Sequence, residues 1–247
     1  YDKHKWYAFI LGRDNNTLIR LDYEDSLKKT LPSVTNLGNI SGLLSNPSEI
    51  SLINESGQWY GLILNSGNDR LLRLSFGASL TNVPTVVSLG NLDGWSAPRG
   101  LDILSYNNNQ YAFVTDFNRN TLTLIEFGST ITNSPTVSRV ITNDGTLYRP
   151  FGVSIKVVDG KWYGLVASYS GNSISHLSFG SNPQNTPTIF NFTGISLPTQ
   201  VVLAIEGNKL YGLISARNNG IYRINYEEGL DSPSSASVEN IGNFNKQ

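Results

Sequence analysis

The chain has no cysteine, no methionine, two histidines and only 15% charged residues in its 247 positions. Without cysteine there can be no disulfides, no thiol nucleophile and no thiolate metal site. With His4 and His176 the only histidines, a serine triad has no obvious base to assemble around. Eighteen basic against nineteen acidic residues leave a net charge of −1, so no basic stripe marks a nucleic-acid or other polyanion binder. No window approaches the roughly 18 consecutive apolar residues of a membrane helix, so direct insertion into a membrane is not expected. Even the initiator methionine is missing, which suggests a processed or excised chain or part of a longer one.

What the chain does have is a period. Tyr7, Tyr60, Tyr111, Tyr163 and Tyr211 open similar segments at nearly equal intervals, most of them reading Trp-Tyr-Gly-Leu or a close variant. Pro47, Pro98, Pro150 and Pro198 each precede one of these tyrosines by the same interval, and Pro32, Pro84, Pro135, Pro187 and Pro233 follow them in a second series of nearly constant phase. Asn15, Asn68, Asn120, Asn172 and Asn219 keep the same phase and are expected to hold left-handed turn conformations.

One repeat shows the local structure. Gly100 to Tyr106, Tyr111 to Thr115, Leu122 to Phe127 and Thr136 to Ile141 are short runs rich in β-branched and aromatic residues, bounded by Asn, Asp, Gly and Pro. Such runs are strands, here four antiparallel strands per repeat. No stretch carries helical apolar spacing, and the one candidate, Glu24 to Leu31, reads as a loop insertion. Four-stranded units recurring with this period predict an all-β fold, a β-propeller, with Gly100-Leu-Asp-Ile and its equivalents as inner strands. The glycines after the tyrosine, Gly61, Gly164 and Gly212, are expected where a neighbouring sheet passes close.

The run Pro98-Arg-Gly-Leu-Asp-Ile, Asn109-Gln-Tyr-Ala-Phe-Val-Thr-Asp116, Asn118-Arg-Asn-Thr-Leu resembles the NHL-type propeller repeats, as does Pro150-Phe-Gly-Val-Ser-Ile with Trp162-Tyr-Gly-Leu-Val. The resemblance implies the fold and little about function. Pro84-Thr-Val, Pro135-Thr-Val and Pro187-Thr-Ile depart from that family and suggest a distinct subfamily. The composition, rich in Asn, Ser, Thr and Gly, is similar to propellers in large exported surface proteins of Bacteroidota.

The repeats run 1–46, 47–97, 98–149, 150–197 and 198–247 within one propeller domain. The first lacks its inner strand. Two arrangements remain open: a five-bladed ring with one thin blade, or part of a six- or seven-bladed ring completed by flanking residues.

No catalytic residue and no cofactor is expected. His176 aligns with Arg20 and Arg73 and reads as part of a solvated face. Glu49 and Asp102 are weak metal candidates near the axis, alongside Arg99, Phe151 and Gln200, in the manner of propeller lactonases. Asp116, with Asn65, Ser168 and Arg217 at the matching turn, is expected to bond nearby backbone N–H groups. Trp6, Trp59 and Trp162 at one blade edge either cover it or stack sugar rings. Function is expected where the repeats disagree: Trp95, Arg99, Tyr148 and Phe151, in loops leading into the inner strands (Leu43 to Pro47, Asp93 to Arg99, Gly145 to Phe151, Ser196 to Thr199). The expected role is a non-catalytic binding or scaffolding module of an exported, cell-surface, multidomain protein, with a protein or glycan partner at one propeller face. A carbohydrate-binding propeller lectin and a metal-dependent lactonase or hydrolase are the alternatives.

Overall fold

The computed structural model describes residues 1–206, 209–218 and 220–242. Its strands form five antiparallel sheets, the blades of a β-propeller. The first sheet has three strands, β1 (Trp6–Gly12), β2 (Thr17–Glu24) and β3 (Ser33–Gly38). Each later sheet has four and opens at a repeat proline. The second comprises β4 (Pro47–Glu55), β5 (Gln58–Asn65), β6 (Arg70–Gly77) and β7 (Thr85–Gly90). The third comprises β8 (Pro98–Tyr106), β9 (Asn109–Asp116), β10 (Thr121–Gly128) and β11 (Thr136–Ile141). The fourth comprises β12 (Pro150–Val158), β13 (Lys161–Ser168), β14 (Ser173–Gly180) and β15 (Thr188–Thr193). The fifth comprises β16 (Pro198–Glu206), β17 (Lys209–Ala216), β18 (Gly220–Tyr226) and β19 (Ser237–Gly242). Glu24 to Leu31 is turn and loop, and helix among the described residues is two single turns, Ile40–Gly42 and Pro233–Ser235.

The chain divides into two compact units: Tyr1–Pro98 with Thr130–Thr132, and Arg99–Ser129 with Asn133–Gln247. In the first, Leu18, Ile63, Leu72, Leu74, Phe76 and Leu80 form the core. The second has two clusters, one around Phe113, Trp162 and Phe179, the other around Leu165, Ile224 and Tyr226. The middle strands β9, β10, β13 and β14 are buried on both faces, which is why they read as nearly continuous apolar runs. Trp162 belongs to this core, its ring 4.9 Å from Tyr111 and 5.3 Å from Tyr106, so it stacks no ligand.

Within the second unit the first strands of successive blades lie side by side. The Ile155 N–H donates to Asp102 Oδ2 at 2.6 Å, and the Leu203 N–H donates to Ser154 Oγ at 3.1 Å. The approach is close enough to need glycine at Gly152, where a Cβ would stand 2.9 Å from the Thr199 carbonyl oxygen. Gly212 lets Leu165 of the preceding blade in, as expected. At Gly61 and Gly164 the crowding comes instead from Leu52 and Ile155 of their own blades.

A repeated clamp fixes the loops that enter each inner strand. Asn16, Asp69, Asn120 and Asn172, in the turn between second and third strands, sit in the left-handed region at φ 53°, 57°, 56° and 50°. In the first two repeats this residue directly follows the aligned asparagine (Asn15, Asn68), and Asn219 lies outside the described residues. Their side-chain oxygens accept the backbone N–H of Asn46, Ala97, Arg149 and Leu197 at 2.7, 2.6, 2.8 and 3.0 Å. Each of these four N–H donors immediately precedes a repeat proline and is itself left-handed, at φ 42°, 58°, 48° and 50°. That conformation is unfavourable for a non-glycine residue, doubly so before proline. It persists because a second bond holds the other side: the carbonyls of Asn46, Arg149 and Leu197 accept from Ser66, Tyr169 and Arg217 N–H. Asn120→Ala is therefore expected to lower stability by about 1–2 kcal/mol in urea unfolding, by stranding the Arg149 N–H. Asn120→Asp, which reproduces the Asp69 clamp, should stay within about 0.5 kcal/mol of the parent.

Candidate functional site

The second unit gathers a set of aromatic and guanidinium groups at the end where the inner strands begin. Arg99 is the second residue of β8 and Phe151 the second of β12. Phe117 and Tyr169 are the first residues after β9 and β13. All four are half-buried. The Phe117 and Phe151 rings meet edge to face at 5.4 Å between centroids, Phe151 and Tyr169 lie 5.2 Å apart, and Phe117 and Tyr169 6.2 Å. The Arg99 guanidinium carbon stands 5.4 Å from both the Phe117 and Phe151 centroids, and that of Arg149 is 5.3 Å from Phe117. Arg217 Nη1 donates to the Tyr169 hydroxyl at 3.2 Å. Cation–π contacts of this kind contribute about 0.5–1 kcal/mol each at exposed sites.

The backbone below is rigid. Thr115 Oγ1 accepts the Gly100 N–H at 2.8 Å and its hydroxyl donates to the Phe151 carbonyl, tying β8, β9 and β12 together directly beneath the rings. The clamp described above fixes Arg149 and Pro150. A separate cleft of about 440 Å³ is lined by Gly145, Thr146, Tyr148, Ser170, Asn191 and Thr193 among others. Tyr148 is 54% exposed at its edge, and its carbonyl accepts the Ser170 N–H at 3.2 Å. Gly145 adopts φ +89°, a left-handed conformation that favours glycine.

Arg99 and Phe151 are thus brought into one cluster, whereas Tyr148 lines the separate cleft. Trp95 is not an exposed contact residue. It is 3% exposed, and its N–H and carbonyl both bond the Asn91 side chain, at 2.7 and 3.0 Å. Nor does it break the repeat: Leu44, Trp95, Leu147 and Ile195 all stand at the same position ahead of a repeat proline, and all are buried. Phe117, Tyr169, Arg149 and Arg217 were not expected. The signal available was an aromatic residue inside each of the turns Asp116-Phe-Asn-Arg-Asn120 and Ser168-Tyr-Ser-Gly-Asn172, at a position where the next repeat has arginine. Placing Arg217 opposite Asp116 hid it, because the register pairs Pro198 with Ala216, as it pairs Pro150 with Ser168.

The carboxylates serve the fold. Asp116 is fully buried and its Oδ1 accepts the Asn118 and Arg119 N–H groups at 3.1 Å, as the turn requires. Asp102 Oδ1 accepts its neighbour Ile103 N–H at 2.9 Å while Oδ2 holds Ile155, so this metal candidate joins strands instead. Burial pushes its carboxyl pKa up against those two bonds. Glu49 lies half-buried in the first unit. Among the described residues no three His, Asp or Glu side chains gather in a metal-binding group.

His176 is not on a solvated face either. It is 1% exposed, with Nδ1 3.0 Å from the Tyr226 hydroxyl. Its alignment with Arg20 and Arg73 is meaningful in another way: those arginines donate to carbonyls of Leu80 and Thr81, at 3.0 and 2.7 Å, and of Ile131, at 2.9 Å. Both arginines reach the loop between the third and fourth strands of the following repeat, and His176 reaches Tyr226 at the end of the third strand.

No family model and no curated protein matches the chain. Solved structures do. A thermostable family-43 glycoside hydrolase superposes with a TM-score of 0.66 at 12% identity, covering 98% of this chain and 91% of that one. A GH43 enzyme from Xanthomonas citri complexed with xylose gives 0.60 at 9%, covering 98% and 88%. The SapL1 lectin in complex with alpha methyl fucoside gives 0.62 at 11%, covering 96% and 76%. At such identities the likeness establishes the fold. It nonetheless corrects the expectation of a non-catalytic scaffold, because several of the superposing propellers are family-43 glycoside hydrolases.

Proposed function

We propose that the chain is a carbohydrate-active propeller that holds a glycan on the floor formed by Phe117, Phe151 and Tyr169. The carrying observation is the half-buried three-ring cluster with guanidinium groups over Phe117 and Phe151, at one end of the unit, beside loops clamped at backbone level. Sugar rings present C–H faces that pack on aromatic rings, while hydroxyls need donors fixed in place. Arg99, Arg149 and Arg217 are the donors nearest the rings. The glycan-bound and glycan-cleaving propellers of the same fold support the same reading. An extracellular or cell-surface location, expected from composition, belongs to this proposal.

A broad glycan array followed by calorimetry tests it. At least one glycan class is expected to bind, and Phe151→Ala to weaken binding about tenfold, near ~1.4 kcal/mol, with an unchanged far-ultraviolet spectrum. Silence across the array would remove the proposal.

Hydrolysis is a second reading, favoured by Asp102. Its carboxyl pKa is raised by burial, as the acid partner of a glycosidase needs, and it lies on β8 three residues beyond Arg99, where it also accepts the Ile103 and Ile155 N–H groups. Incubating the bound glycan with the protein and assaying new reducing ends separates the two. Release abolished in a folded Asp102→Asn variant supports hydrolysis, and its absence leaves binding alone.

A further inference from the structure

Three departures from the repeat meet at the cleft that Tyr148 lines. The residue after the buried Leu44, Trp95, Leu147 and Ile195 is serine in three repeats, Ser45, Ser96 and Ser196, and tyrosine only ahead of β12. The Tyr148 ring is 54% exposed and stacks on no other ring among the described residues. The second departure is Ser175 on β14, fully buried where the corresponding residue of β6 is Leu72. A buried hydroxyl is unfavourable unless bonded, and this one donates to Asn191 Oδ1 at 2.8 Å. Asn191 is the third, for its counterparts on β7 and β11 are Ser88 and Arg139. Its carbonyl is thereby held from below, while its amide N–H donors have no partner among the described residues.

Ile189, Asn191 and Thr193 alternate along β15 and so share one face, leaving Phe192 to the core on the other. That face lines the cleft together with Ser170 and Tyr148, and no lining residue among those described is charged. Arg149, next in sequence, has its guanidinium over Phe117 instead. The Ser170 and Thr193 side chains are exposed, and their hydroxyls take no hydrogen-bond partner among the described residues.

We infer that this cleft is a second saccharide site, taking one neutral pyranose: its C–H face packs on Tyr148 and Ile189, and its hydroxyls bond the Asn191 amide and the Ser170 and Thr193 hydroxyls. The inference rests on the carbohydrate reading above for its ligand class, but not on the three-ring cluster. A volume of about 440 Å³ suits a small ligand. An exposed ring, an amide fixed by a buried hydroxyl and unpaired hydroxyls are the groups an uncharged polyol needs. A carboxylate or sulfate would lose water here with no cation to pair it.

Titration of the full chain, followed by NMR, with methyl glycosides of the common neutral pyranoses and with methyl glucuronide tests this. At least one neutral glycoside is expected to bind, with an affinity that added salt leaves unchanged. Tyr148→Ala should weaken it about tenfold and Phe151→Ala less than about twofold, both with unchanged melting temperatures. Ser175 is a positioning residue: Ser175→Ala should weaken binding about threefold, whereas Ser175→Thr, which keeps the hydroxyl and copies Thr123 of β10, should retain it. Equal binding by those two variants would overturn the role given to Ser175. A silent panel, or binding that Tyr148→Ala leaves untouched, would overturn the inference, and so would a glucuronide bound more tightly than the glucoside. Binding lost in Phe151→Ala and kept in Tyr148→Ala would overturn the cleft and uphold the ring cluster. The reverse pattern would uphold the cleft alone.

Discussion

Gly100→Ala is expected to leave little soluble folded protein, and whatever folds should have lost on the order of 3 kcal/mol or more in urea unfolding. The added Cβ would overlap the Phe151 carbonyl oxygen and stand 2.9 Å from Thr115 Oγ1 and 3.0 Å from the Gly152 Cα. Two of these are backbone atoms of β12. That strand cannot yield, because Pro150 follows a residue clamped at both its N–H and its carbonyl, and because Thr115 bridges Gly100 to Phe151. The penalty is steric, since a methyl group must occupy space already filled by main chain. Gly61→Ala is the comparison: its Cβ would meet the end of the Leu52 side chain at 2.9 Å. That side chain can rotate away, so a loss nearer ~1 kcal/mol is expected. A Gly100→Ala protein with the parent's unfolding midpoint would mean that β8 and β12 do not approach as described, and the aromatic floor above them would lose its foundation.

The blades were legible because their signals are local. Proline at the first residue of β4, β8, β12 and β16, a polar turn at Asn107 to Gln110 and runs of β-branched residues each act within a few positions, and the period multiplies them. The site was legible only in part. Arg99 and Phe151 stood out as departures from the repeat. Phe117 and Tyr169 come to Phe151 from turns in two different blades, through packing that no local pattern encodes. Trp95 misled for the opposite reason: a bulky side chain at a position that elsewhere holds Leu or Ile looks like an exception, although burial is what all four share. His176 misled because an aligned arginine suggests solvent, whereas here the aligned groups reach inward to backbone carbonyls.

His176 also gives the chain a pH dependence whose sign and window follow from its burial. Removal from water lowers its pKa from the ordinary 6.5 to about 4, against the smaller opposing pull of the Leu230 backbone and the Asp231 carboxylate. The groups facing it are Tyr226, whose hydroxyl burial keeps protonated, and Tyr163, whose hydroxyl donates to Asp231 at 2.7 Å. Between pH 6.5 and 4 the unfolded chain therefore carries a proton that the folded chain refuses. The stability from neutral His176 is present in full above the unfolded pKa and is lost as pH falls toward the folded one, by about 3 kcal/mol over the whole window. Asp231 has its pKa lowered by Lys161 and Tyr163, so its own contribution fades only at more acidic pH, below that window. Unfolding in urea at half-unit steps from pH 7.5 to 4 reads the slope. The third repeat shows what should replace the pair, because Leu124 fills the place of His176 and is fully buried. In a His176→Leu, Tyr226→Phe variant the histidine's share of the slope should vanish while stability at pH 7.5 changes little. A variant that tracks the parent at every pH would show that His176 takes its proton in the folded state near the ordinary value, and so is open to water.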